Sequence, residues 1–175
     1  MFTIFACGFR PRCALEIDDG SQTRIDKIYD IIGESRYGIH DLSRTELDQD
    51  NNLPRFNMPM ELGIFLGAKR YGDDEQKTKR CLILDIERYR FQRFISDIAG
   101  MDIRAHGGDA EQVVRRVRDW LANVSRRKLP GPALLVGAWT AFLHDKPVMA
   151  ELAGLEADDI PFADLEALIV GWLAK

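Results

Sequence analysis

Apolar positions along the chain alternate between clustered, strand-like runs and stripes at helical spacing, and the switches divide it into elements. Phe2 to Cys7, FTIFAC, is short, β-prone and followed by Gly8, which predicts an opening strand. Thr23 stands three residues before Asp26 as a variant capping box, and Ile25, Ile28, Tyr29 and Ile32 follow on one helical face up to Gly33. Gly38 to Leu42 reads as a second strand. A polar loop carrying Pro54 and Asn57 comes next, then a helix from about Pro59 to Arg70 that Gly72 stops. Arg80 to Ile86, RCLILDI, is the strongest strand signal, an unbroken apolar run of the kind buried on both faces of a parallel sheet.

Tyr89 to Ile98 is helical or irregular, and Met101 to Ala105 is a short fourth strand. Asp109 caps a helix whose stripe is Val113, Val117, Trp120, Leu121 and Val124. Lys128-Leu129-Pro130-Gly131-Pro132 is the clearest break. Beyond it, Leu134–Leu143, Val148–Leu152 and Phe162–Leu173 read as helices, with Asp145 and Pro161 at starts. Strands alternating with helices predict an α/β fold: a three-layer, flavodoxin-like parallel sheet of four or five strands with right-handed crossovers. Residues 1–130 form that core, and 131–175 form a C-terminal helical region packed on it within one structural domain. The aromatic residues Trp139, Phe142, Phe162 and Trp172 of this tail either cover a face of the sheet or supply a homodimer surface.

Composition narrows the partners. A length of 175 residues with 46% hydrophobic and 30% charged positions suits one globular domain. The net charge of -4 argues against a dedicated nucleic-acid binder, which needs a basic face to displace counterions from phosphates. No run of about 18 apolar residues is present to span a membrane, and the first segment is too short, and lacks the basic lead, for a signal peptide. Cys7, Cys13 and Cys81 are odd in number and without CxxC spacing, which suits a reducing cytoplasm and offers no zinc framework.

The candidate site is the stretch Tyr37 to Gly67, in which a strand delivers His40, Asp41 and Ser43 to a polar loop and a helix then opens on Met60 and Glu61. In open α/β sheets ligands settle beyond the carboxyl ends of the strands. Glu61 in a first helical turn either complements the macrodipole or faces a ligand, and Gly63 and Gly67 are expected to bring that helix close to the sheet or a ligand. Neighbours on a strand point to opposite faces, so His40, Asp41 and Ser43 form no catalytic triad. Asp41 and Ser43 share a face and either hold sugar hydroxyls or cap the loop. His40, His106 and His144 lack metal spacing, and FACGFRPR lacks the G-x-G-x-x-G fingerprint, so no metal and no dinucleotide cofactor is expected. Arg10 and Arg12 either meet a phosphate or are solvated, and Arg115, Arg116 and Arg118, interleaved with acidic residues, are read as a solvent face.

A strand ending in Asp41-Leu42-Ser43, a loop with Pro54, Arg55 and Asn57, and the helix MELGIFLG from Met60 to Gly67 together resemble the nucleoside 2-deoxyribosyltransferase-like and TIR-like superfamily. The likeness extends in element order over about residues 1–125. It implies Glu61 as catalytic residue and a small-polar ligand loop at Gly8, Phe9 and Arg10, with Asp41, Ser43, Asn57 and Met60 completing the substrate-binding set. The second acidic residue that such transferases carry shortly before the glutamate is replaced in position by Asn57, with Asp50 eleven residues ahead of Glu61. The resemblance implies cleavage of an N-glycosidic bond in a nucleoside, nucleotide or NAD, because a carboxylate stabilises or captures the oxocarbenium-like sugar left by the departing base. The alternative within the same superfamily is a non-catalytic TIR-like module that binds a nucleotide or a protein partner in prokaryotic signalling or defence.

Overall fold

Arg80–Asp85 (β2) is the middle strand of a three-stranded parallel sheet, between Tyr37–Asp41 (β1) and Ile103–Ala105 (β3). The computed structural model describes residues 1–45, 47, 52 and 54–175. Tyr37 aligns with Arg80 and Asp41 with Leu84, while Ile83 to Asp85 run beside Ile103 to Ala105. The unbroken apolar run of β2 has a direct cause. Leu82 and Leu84 point to one face, against Val114, Val117, Trp120 and Leu121 of the helix Ala110–Ser125 (α5). Ile83 points to the other, against Leu62 of Asn57–Tyr71 (α3) and against Phe91 and Ile98 in two 3₁₀ turns, Arg90–Arg93 and Ser96–Ile98. A strand covered on both sides has no position left for a polar residue until its end, Asp85.

Arg24–Glu34 (α2) begins as its capping pattern predicts, with the Asp26 N–H donating to Thr23 Oγ1 at 3.3 Å. It lays Ile28 and Ile32 on Phe65 of α3. Its far end is closed by a distant residue: the Lys79 ammonium, 2% exposed, donates to the carbonyls of Ile32, Gly33 and Ser35. A cation at these carbonyls satisfies acceptors that have no intrahelical partner and complements the dipole. Asp109 caps α5 by accepting from the Glu111 N–H at 2.8 Å. A single-turn helix, Asp74–Lys77 (α4), follows α3 and is capped by Asp73.

The opening segment corrects the sequence-based expectation. Phe2–Ala6 is a helix (α1), not a strand, so the sheet holds three strands among the described residues instead of four or five. A short, uniformly apolar run carries no period that separates the two conformations, and neighbours decide. As a helix the segment serves two surfaces at once. Ile4, Ala6 and Cys7 pack with α5, while Phe2 and Phe5 pack with the C-terminal helices.

Those helices are Pro132–Leu152 (α6) and Phe162–Leu173 (α7). The expected break at Asp145 is absent, because α6 runs on through Pro147. Lacking an N–H, Pro147 leaves the Leu143 carbonyl without its helical donor, and Leu143 is on the exposed side at 43%. Phe2, Phe142 and Trp172 form one aromatic cluster, with Phe2 stacked on Phe142 at 5.2 Å and Phe142 edge-on to Trp172 at 5.9 Å. The chain's first helix therefore packs with its last two. Among the described residues no helix is long and apolar enough to cross a membrane.

Candidate functional site

A cavity of about 250 Å³ opens beside the β1 edge of the sheet, between α2, α3 and the segment 12–15. Its walls are apolar where α2 and α3 face each other, through Ile28, Ile31, Ile32, Met58 and Phe65. Its polar groups include Glu61, Arg24, Arg12 and His40. The start of α3 determines how Glu61 sits. The helix opens at Asn57, two residues before the expected start, which places Glu61 beyond the opening turn that holds Pro59. The macrodipole fades within one turn, so helix-end electrostatics does not explain this carboxylate. Instead Glu61 points into the cavity, where burial raises its carboxyl pKa and the Arg24 guanidinium partly offsets the rise.

Arg12 lies in the same wall but is engaged by Glu16 and by Glu34 at 2.8 Å, pairs that raise its pKa and leave it no free fork for a phosphate. His40 is 5% exposed, and neither ring nitrogen has a hydrogen-bond partner among the described residues. Its ring meets Phe65 edge-on at 5.3 Å, and burial lowers its pKa to about 4, so it is a neutral imidazole at neutral pH.

Gly63 and Gly67 do not bring α3 close to the sheet. A Cβ on either would meet nothing within 4 Å, because the buried stripe of α3 is Leu62 and Phe65, and the two glycines lie off it. The close approach occurs on the strand instead. A Cβ on Gly38 would stand 2.8 Å from Phe65 Cε2 and 2.8 Å from His40 Nε2, so β1 needs glycine there for α3 to seat its phenylalanine.

Asp41 and Ser43 reach the carboxyl end of the sheet, where they build a closed polar cluster. Asp41 Oδ1 accepts the Ser43 N–H at 3.0 Å and lies 3.4 Å from His106 Nε2. His106 Nδ1 accepts the Gly108 N–H at 3.1 Å, so the ring proton resides on Nε2 and is directed at Asp41. With both nitrogens used, His106 has no lone pair for a substrate. Below it, fully buried Asp85 accepts from Arg90 Nε at 2.8 Å and Nη2 at 2.6 Å, and Arg90 Nη2 also donates to the Leu42 carbonyl. The pair ties the ends of β1 and β2 together. The Asp41–Ser43 contact is the loop-capping alternative in structural form.

Of the catalytic and substrate-binding set that the resemblance implies, Glu61 alone lines the cavity, beside His40 and Arg12, which the sequence singled out on other grounds. Gly8, at φ +71, offers its carbonyl to Arg127 at 3.3 Å, and the Phe9 ring lies under that guanidinium at 4.6 Å and edge-on to Tyr37 at 6.1 Å. Arg10 lines a neighbouring groove with Arg36 and Tyr37. Asn57 is exposed at the start of α3, Met60 is 48% exposed, and Asp50 lies outside the described residues. His40, Arg24 and the α2 isoleucines join Glu61 only through tertiary contact. A histidine in the middle of a buried strand was the one sequence signal for them. No group of three His, Cys, Asp or Glu side chains among the described residues is placed to hold a metal ion. Protein-family models, curated proteins and solved structures were each compared with the chain, and none matches, so the chemistry of the cavity rests on its geometry alone.

Proposed function

We propose that the chain cleaves the N-glycosidic bond of a nucleoside-type substrate, with Glu61 as the group that meets the sugar. The observation that carries the proposal is a carboxylate in a half-closed, largely apolar cavity with its pKa raised by desolvation. A desolvated carboxylate gains more from a developing cation than a hydrated one, because the interaction runs through a lower dielectric. The C1′–N bond breaks with its electron pair leaving on the base, and Glu61 stabilises the oxocarbenium-like sugar or captures it as a glycosyl ester. Water or an acceptor base then takes the sugar, and the proton it loses balances the one the departing base acquires. The isoleucines of α2 and Phe65 offer an apolar slot for the base, and a volume of about 250 Å³ favours a nucleoside over a dinucleotide such as NAD. Three free thiols fit a reducing, cytoplasmic setting.

Incubation with a panel of nucleosides and NAD, followed by chromatography for released base, tests the proposal. Glu61→Gln should abolish release while leaving the fold intact, and equal release by that variant would sink it. One observation favours the alternative, a non-catalytic TIR-like nucleotide- or protein-binding module. Asp41, the residue expected to hold sugar hydroxyls, is already engaged by Ser43 and His106. In that case Glu61→Gln retains ligand binding and no panel member is turned over.

A further inference from the structure

The opposite edge of the sheet carries a second cleft of different chemistry. It encloses about 430 Å³ beside β3, within the range of about 300–1,000 Å³ usual for small-molecule sites. Arg88 from the segment after β2, Arg104 from β3 and Arg116 from α5 all line it, against one carboxylate, Asp102. The chain as a whole has net charge -4, so this concentration of positive charge runs against its surroundings. Arg12, Arg90 and Arg118 are each held by carboxylates or carbonyls. By contrast, the guanidiniums of Arg88, Arg104 and Arg116 make no hydrogen bond or ion pair among the described residues. Guanidiniums that share a cleft without partners repel one another, and a multivalent oxyanion relieves that repulsion while matching their planar forks.

Beside them stands Tyr89, 67% exposed and held at φ +64, a left-handed conformation that a non-glycine residue rarely adopts. Phe91 contributes an apolar wall. We propose that this cleft binds a phosphorylated small molecule of the nucleotide class, its phosphates on Arg88, Arg104 and Arg116 and its ring against Tyr89. It lies across the sheet from Glu61, so the assignment does not depend on the glycosidase reading.

Calorimetric titration of the full chain at low salt with pyrophosphate, ADP, adenosine and a single-stranded RNA tests it. Pyrophosphate and ADP should bind saturably and compete with each other, adenosine should not enter this cleft, and raising the salt should weaken binding. Arg104→Ala should lower ADP affinity about ten- to a hundredfold, the usual worth of a hydrogen bond to a charged group. Because Arg104 is half-buried, the exposed pair Arg88→Glu and Arg116→Glu provides a second variant whose folding is checked by thermal denaturation. Tyr89→Ala should weaken ADP but not pyrophosphate. Absence of saturable binding by pyrophosphate and ADP, or affinities unchanged in the arginine variants, would overturn the proposal. RNA binding tighter than ADP with the same arginine dependence would overturn the small-molecule assignment.

Discussion

Replacing His40 by leucine should make the protein more stable and less sensitive to acid. The buried imidazole has two nitrogens without partners, and an unsatisfied buried polar group typically costs about 1–3 kcal/mol, so an apolar side chain of similar size should recover about 1 kcal/mol or more at neutral pH. The acid effect follows from linkage. In the unfolded chain His40 titrates near 6.5, and in the folded protein near 4. Above pH 6.5 the ring is neutral in both states and contributes no pH dependence. As pH falls the unfolded state takes up the proton first, so stability is lost from about pH 6.5 downward, by about 2 kcal/mol at pH 5 and about 3 kcal/mol at pH 4. Glu61, in the same cavity, acts in the opposite sense. Its raised pKa means the folded state binds the proton more tightly, so its contribution is fully present at low pH and is lost as pH rises through the folded value. Urea unfolding at pH values of about 7, 5 and 4, for the native chain, His40→Leu and His40→Leu in a Glu61→Gln background, separates the two. Parallel stability-versus-pH curves for the native chain and His40→Leu would refute the reasoning.

Gly38→Ala should destabilise by about 1–3 kcal/mol in thermal denaturation, because its Cβ would meet Phe65 and His40 at 2.8 Å. A neutral result would mean that α3 shifts at no cost. Arg90→Met should cost about 3–5 kcal/mol, since it leaves Asp85, fully buried, as an uncompensated charge; Asp85→Asn in the same background should recover part of the loss. Phe142→Ala should cost about 3–5 kcal/mol by opening the cluster it forms with Phe2 and Trp172. Deletion after Pro130 exposes Phe2 along with that surface, and a soluble, cooperatively melting fragment 1–130 would show that the tail is dispensable to the core.

Much of the fold was legible in local signals. Arg80 to Asp85 could be read as a central strand because its unbroken apolar run, Cys81 to Leu84, suits burial on both faces, and Thr23 and Asp109 marked helix starts because a side-chain cap acts within three residues. Phe2–Ala6 and the course of α6 through Pro147 were not legible. A short apolar run takes whichever conformation its neighbours reward, and a helix absorbs a proline when the carbonyl it orphans lies on the exposed side. The site divides in the same way. Sequence alone singled out Glu61, a carboxylate near the start of a helix that follows a strand and a polar loop, and determined that the chain has a parallel α/β core with a helical tail. Only the tertiary structure decided that Glu61 shares a cavity with His40, Arg24 and the α2 isoleucines, not with Asp41 or Asn57, and that Arg88, Arg104 and Arg116 line one cleft at the far edge. These groups lie far apart along the chain, and what brings them together is how α2, α3 and α5 pack on the sheet, to which short-range pattern is blind.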